Sequence, residues 1–285
     1  MAENKAKKWG LVIDVTRCDG CGSCLLAVKD EYVGNNYPGY SAPQPMNGQN
    51  WLDLKEVEQG QGFKVKLDYI PVMYKHNRNL VLPEGVPEGA MYVREDGLTI
   101  IDPVKAKGCK AIVDNCKDGT IFWNEELQLP QIYTLDAHRL DEGEKLPRCV
   151  ESCPTQAMHW GDLNDPESDV SKFIAAHPGE IEDYMPEEGA DYVVRYYKLP
   201  KPFIAGEIMV CDSEDCVKGA KVTLHCLDCG CTETNETDFF GDFQFKYLKA
   251  GAKYEVTAEV EGYQPKTVEV TLDKAVDLGV ITLEK

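Results

Sequence analysis

Three cysteines at two equal gaps, Cys18-Asp-Gly-Cys21-Gly-Ser-Cys24, follow the apolar run Trp9-Gly-Leu-Val-Ile-Asp14. Three soft thiolates on one tight loop suit an iron–sulfur cluster, with a fourth thiolate arriving from elsewhere in the chain. Gly20 and Gly22 let the backbone close around a bulky inorganic core. A structural zinc site usually joins one close pair of cysteines to a second pair. Zinc and plain reduced thiols are therefore the competing readings. Twelve cysteines among 285 residues point, in a reducing compartment, to metal or redox groups before disulfides.

The elements that position this loop follow from the flanking pattern. Residues 9–14 are expected as a buried strand running into it, and Leu25–Glu31 as a short helix leaving it. That strand–loop–helix opens a ferredoxin-type half. Trp51 to Tyr69 alternates apolar and polar residues (Trp51, Leu54, Val57, then Phe63, Val65, Leu67) and suggests a hairpin through Gln59–Gly62. Asp96-Gly97 marks a second hairpin within Met91–Asp102. Strands are expected at Thr120–Asn124 and Gln156–Asp162, and a helix near 168–176. From about residue 200, short alternating runs separated by glycine turns predict some seven strands. The fold class is α+β: a ferredoxin-like iron–sulfur domain followed by a C-terminal all-β sandwich of transthyretin/Ig-like type. The expected divisions are 1–162 for the ferredoxin-like domain, 163–200 for an acidic wrap or linker, and 201–285 for the sandwich.

Bulk properties narrow the function. A net charge of −19 disfavours nucleic acid and anionic lipid as partners, since phosphate binding needs clustered Lys and Arg. No apolar run approaches the roughly 18 residues that span a bilayer. The basic start Met1–Lys8 has no apolar stretch behind it and does not read as a signal peptide. A cytoplasmic chain, or one exported with a signal-bearing partner, is expected.

The phrases Glu95-Asp-Gly-Leu-Thr-Ile-Ile-Asp-Pro103, Pro147-Arg-Cys149-x3-Cys153-Pro154 and Trp160-Gly-Asp-Leu-Asn-Asp-Pro-Glu-Ser168 join the first motif in one pattern. It resembles the four-cluster ferredoxin subunits of the molybdopterin (dimethyl-sulfoxide-reductase) family. The tail phrases Asn235-x3-Phe239-Phe-Gly-Asp-Phe243 and Val276-Asp-Leu-Gly279 narrow the resemblance to the small subunits of pyrogallol–phloroglucinol transhydroxylases. The resemblance implies that Cys18, Cys21 and Cys24 share a [4Fe–4S] cluster with Cys153, and all four are present. It implies a neighbouring cluster on positions 28, 133, 136 and 149, which here hold Val28, Tyr133, Asp136 and Cys149. The third motif would use 106, 109, 112 and 116, which hold Ala106, Cys109, Ile112 and Cys116. The second motif, expected near 73–85, has no cysteine. The expectation is one [4Fe–4S] cluster and three vacated sites, with Cys109, Cys116 and Cys149 as buried relics.

Other candidates are weighed against blander roles. His76 and His138 lie near vacated motifs and could ligate metal, but polar packing explains them equally well. His159 falls on a predicted strand and is expected to pack. In the tail, Cys226-x2-Cys229-x-Cys231 invites zinc. A hairpin of 204–211 with 219–226 would put Cys211 and Cys216 at one end and this triplet at the other. One site could not then use all five, leaving a three-thiol site, a disulfide (Cys211–Cys216 or within the triplet) or free thiols. No nucleophile elbow, zinc-protease helix or phosphate-binding glycine loop is present.

The resemblance implies a non-catalytic subunit. The substrate chemistry would sit on a large partner carrying a molybdenum or tungsten bis-pterin cofactor, in a heterodimer acting on phenolic or related substrates by hydroxyl transfer or (de)hydroxylation. The family pattern places the surviving cluster nearest that partner. Two alternatives stand beside this: a scaffold subunit whose cluster is structural, and a stand-alone ferredoxin with an adhesion-like tail.

Overall fold

A computed structural model describes residues 7–62, 64–213 and 215–285. The first six residues of the basic start and Phe63 of the alternating run lie outside the described residues. The chain divides into two compact units. One comprises residues 1–56 and 68–199, the other 57–67 and 200–285.

The first unit opens with β1 (Trp9–Asp14), a 3-10 turn (Val15–Arg17) and α1 (Ser23–Tyr32). The hairpin β2 (Leu52–Gln61) and β3 (Lys64–Met73) contributes its base to this unit and its tip to the other. Then come β4 (Met91–Val93), β5 (Thr99–Ile101), α2 (Ala111–Asp114), β6 (Phe122–Asn124) and β7 (Leu129–Gln131). After them follow α3 (Ala137–Asp141), α4 (Arg148–Glu151), β8 (Met158–Asp162), α5 (Asp169–Ala176), β9 (Ile181–Glu182) and β10 (Val194–Tyr197).

Every residue of β1 is buried, as its continuous apolar run requires of a strand covered on both faces. It lies between β8, antiparallel, and β10, parallel, in a sheet ordered β8-β1-β10-β9. The segment read as a wrap or linker therefore supplies an inner strand of this sheet. Its signal was weak because β10 is only four residues long and follows a run of acidic and proline residues. Trp9 stacks on Trp160 at 5.0 Å between centroids, pinning β1 to β8 through their side chains.

The second unit holds β11 (Ile204–Val210), β12 (Lys221–Cys226), β13 (Thr232–Glu236), β14 (Asp242–Phe245), β15 (Ala252–Glu259), β16 (Lys266–Leu272) and β17 (Val276–Leu283). Two sheets, β14-β11-β17 and β13-β12-β15-β16, enclose one apolar core that includes Ile208, Val222, Phe245, Val256 and Leu283. β13 escapes a pattern search because its sequence TETNE is almost wholly exposed; backbone pairing with β12 makes it a strand. The 204–211/219–226 hairpin considered for the tail cysteines does not form. β11 pairs with β14 and β17, whereas β12 belongs to the opposite sheet. Ile208 is fully buried in this core. Ile208→Val should cost about 1 kcal/mol, read as a lower denaturant midpoint at unchanged slope in the transition reporting this unit.

Among the described residues, no helix is long and apolar enough to cross a membrane.

Candidate iron–sulfur site

Cys18, Cys21, Cys24 and Cys153 line one cavity, together with Leu54, Pro71, Ala157 and Met158. Two features of the fold bring Cys153 to a loop so distant in sequence. β8 pairs with β1, placing Met158 opposite Ile13, and α4 packs on α1. Cys153 follows directly on the last turn of α4, where its N–H donates to the Val150 carbonyl at 3.2 Å. The cysteine loop itself rests on glycines. Gly20 has φ +73°, and a Cβ there would lie 2.6 Å from the Tyr69 ring; Gly22, with φ +75°, starts α1 in the left-handed region.

The four sulfurs share one electrostatic environment. Burial pushes the Cys24 thiol up to about 12, with Cys18, Cys153 and Cys21 adding repulsion against its thiolate. Burial also raises Cys18, and Cys153 and Cys21 contribute to that shift. Thiols crowded in this way deprotonate readily only when a cation compensates them, which is what a cluster's irons supply. The Ala157 N–H donates to Cys153 Sγ at 3.3 Å, and Gly20 and Leu25 direct backbone N–H groups at Cys18 and Cys24. Such bonds stabilise ligating thiolates and tune cluster potential. Among the described residues no three His, Cys, Asp or Glu side chains close on a single ion. The four thiols instead border a shared space. A cube holds its thiolates on separate corners, whereas zinc draws its sulfurs to about 2.3 Å from one point. The donor set and the glycine cradle fit a [4Fe–4S] cluster.

The remaining motif positions look different. Val28, Tyr133, Asp136 and Cys149 are all buried. Tyr133 donates its hydroxyl to Asp136 Oδ2 at 2.7 Å, and the Arg148 N–H donates to the same oxygen at 2.6 Å. Burial raises the Asp136 pKa against these hydrogen bonds, and burial beside Asp136 raises the Cys149 thiol. Tyr32 packs edge-on against Tyr133 at 5.8 Å and shares a hydrogen bond with Thr134 at 2.7 Å. Neither Tyr32 nor Thr134 belongs to a cysteine motif, so motif reasoning had no means of finding them. At the third motif, Ala106 and Ile112 join an apolar cluster with Met91, Ile101, Ile121 and Ile132. Cys149 is fully buried, but Cys109 and Cys116 are only partly buried, a correction to the reading of all three as buried relics. Cys116 donates to Asp118 Oδ1 at 3.0 Å, and Asp118 pairs with Lys75 at 3.3 Å.

The histidines pack. His76 Nδ1 accepts the Thr99 N–H at 2.9 Å, and burial pushes its pKa down to about 3, keeping it neutral. His138 stacks on Tyr37 at 3.7 Å and meets Glu31 at 3.0 Å. His159 stacks on Phe173 at 3.8 Å and pairs with Asp169. In the tail, Cys229 and Cys231 are joined as a disulfide, and Cys211, Cys216 and Cys226 are free.

Residues 65–163 match the 4Fe-4S dicluster domain model. This match and the four-thiol cavity mark a ferredoxin-type iron–sulfur domain. The chain is 33% identical to the pyrogallol hydroxytransferase small subunit of Pelobacter acidigallici, over 97% of this chain and 100% of that protein. It is 30% identical to a tetrathionate reductase subunit of Salmonella typhimurium, over 69% of this chain and 75% of that protein. It is 28% identical to the arsenate respiratory reductase iron–sulfur subunit of a Shewanella species, over 66% and 95% respectively. The chain belongs to the family of iron–sulfur small subunits of molybdopterin enzymes.

Proposed function

We propose that this chain is the small subunit of a heterodimeric molybdopterin enzyme and holds one [4Fe–4S] cluster on Cys18, Cys21, Cys24 and Cys153. A large partner subunit would carry the molybdenum or tungsten bis-pterin centre and the substrate. The observation that carries this reading is a contrast. One complete set of four thiols borders a single cavity, while the other motif positions offer no such set: a Tyr133–Asp136 hydrogen-bonded core occupies one, and the cavity lined by Tyr74, Leu80, Ile112 and Cys116 at the second and third motifs presents one thiol. Two cubes need eight ligands, and the stretch matching the dicluster domain holds only Cys109, Cys116, Cys149 and Cys153.

A chain of clusters carries electrons between a pterin centre and an outside donor. Loss of the thiols at the outer positions interrupts that chain. A reaction without net electron exchange, such as hydroxyl transfer on phenolic rings, tolerates the interruption. The relative named pyrogallol hydroxytransferase small subunit supports this substrate class. Outside the proposed cluster set, Cys109, Cys116, Cys149, Cys211, Cys216 and Cys226 stay unpaired, which supports a reducing, cytoplasmic setting. The seven strands in two sheets support a transthyretin/Ig-like sandwich for the second unit. The interruption also favours a second reading, in which the cluster only staples loops. Chemical reduction that leaves the cluster unchanged while turnover proceeds would select it.

The test is iron and sulfide analysis of the purified complex, after subtracting the contribution of the separately purified large subunit. About four irons and four sulfides per small subunit are expected. Eight or more would overturn the single-cluster reading.

A further inference from the structure

Cys229 and Cys231 lie on the tight connection between β12 and β13, apart from every cysteine motif assigned to a cluster. Both are exposed, while Cys226, at the end of β12, is buried in the second unit's core. We propose that Cys229 and Cys231 form a reversible dithiol–disulfide couple, a solvent-facing site of thiol exchange with external disulfides and thiols.

The turn is built without help from the sulfur bond. The Cys226 N–H donates to the Cys231 carbonyl at 2.9 Å, and the Gly230 N–H returns to the Cys226 carbonyl at 2.8 Å. The Leu227 N–H reaches the Lys253 carbonyl at 2.9 Å, and Asp228 accepts from the Lys253 N–H at 3.3 Å. Gly230, at φ +73°, permits the reversal. This framework holds the two Cα atoms 5.4 Å apart, inside the span a disulfide needs. Reduction therefore leaves the thiols adjacent, and reclosure is an intramolecular step. The Cys231 N–H also donates to Cys229 Sγ at 3.3 Å, a contact that stabilises a thiolate there. Exposure admits reagents to both sulfurs, the property of exchangeable rather than purely structural disulfides.

The oxidation balances with a small-molecule disulfide as the electron acceptor. The Cys229 thiolate attacks one of its sulfurs, breaking the external S–S bond and releasing one thiolate. The Cys231 thiolate then attacks Cys229 Sγ in the mixed disulfide and expels the second. Two protein thiols become one disulfide, the external disulfide becomes two thiols, and the two protons go to the released thiolates.

The test uses the purified complex, treated with glutathione disulfide or with dithiothreitol without denaturant, then alkylated and mapped by mass spectrometry. After glutathione disulfide, Cys229 and Cys231 should take no label and their peptide should lack two hydrogens. After dithiothreitol both should be labelled, with Cys226 still protected. Cys231→Ser should trap a stable single glutathione adduct on Cys229, since no exposed neighbouring thiol is left to expel it. Label at both positions after glutathione disulfide, label only after denaturation, or a metal that a chelator must remove before all three cysteines react would each overturn the proposal.

Discussion

Cys24→Ala is expected to reduce the iron bound by this chain from about four atoms to near zero and to abolish the cluster's broad visible absorbance. Cys24 is the most enclosed of the first three thiols and is held in place by the first turn of α1. A cube left with three thiolates, beside a loop built on left-handed glycines, has no protein ligand for its fourth iron. The loop then loses the charge compensation that its crowded thiols require. Cys149→Ala is the matched control. Cys149 is fully buried and lies close to Cys24, but it belongs to a filled position, so its removal should keep the iron and cost only packing. Metal analysis of the two variants reads this directly. Retention of iron by Cys24→Ala with loss from Cys149→Ala would assign the ligands wrongly here.

The second large effect falls on the core that occupies the neighbouring motif. Asp136→Ala should destabilise the first unit by about 3–5 kcal/mol, because it leaves the Tyr133 hydroxyl and the Arg148 N–H without their acceptor in a dry interior. A midpoint lower by about 10 °C in thermal unfolding would register it. The carboxyl also gives a pH signature. Its folded pKa is raised above the ordinary 3.8, burial being the main cause. The folded state therefore holds the proton more tightly than the unfolded one. The stability from the protonated acid is fully present below pH 3.8 and is lost as pH rises through the raised value. Asp136→Asn should flatten that part of the stability–pH curve. An unchanged slope would show that Asp136 does not titrate there.

The sequence carried the local elements well where burial imposes a pattern. β1 is apolar up to its closing Asp14 because both its faces are covered, and the Asp96-Gly97 turn places β4 against β5 in register. β10 and β13 were illegible for opposite reasons. β10 is too short to show a period, and β13 exposes nearly every side chain, so pairing with a neighbour rather than its own pattern defines it. Whether β11 and β12 pair as a hairpin was not legible, because adjacent strands in a two-sheet unit can cross between sheets and alternation is the same in either case.

For the site, residue spacing alone determined that Cys18, Cys21 and Cys24 sit on one loop, since two-residue gaps cannot separate their thiols. The two glycines between them already indicated a backbone bent around something large. Only the tertiary structure decided that Cys153 faces the same cavity, because that depends on β8 lying beside β1 and α4 on α1. Only it decided that Tyr133, Asp136 and Ile112 occupy their positions as packed or hydrogen-bonded core. Side-chain identity can deny a thiol, but whether the space left behind is open or filled is a property of packing in three dimensions.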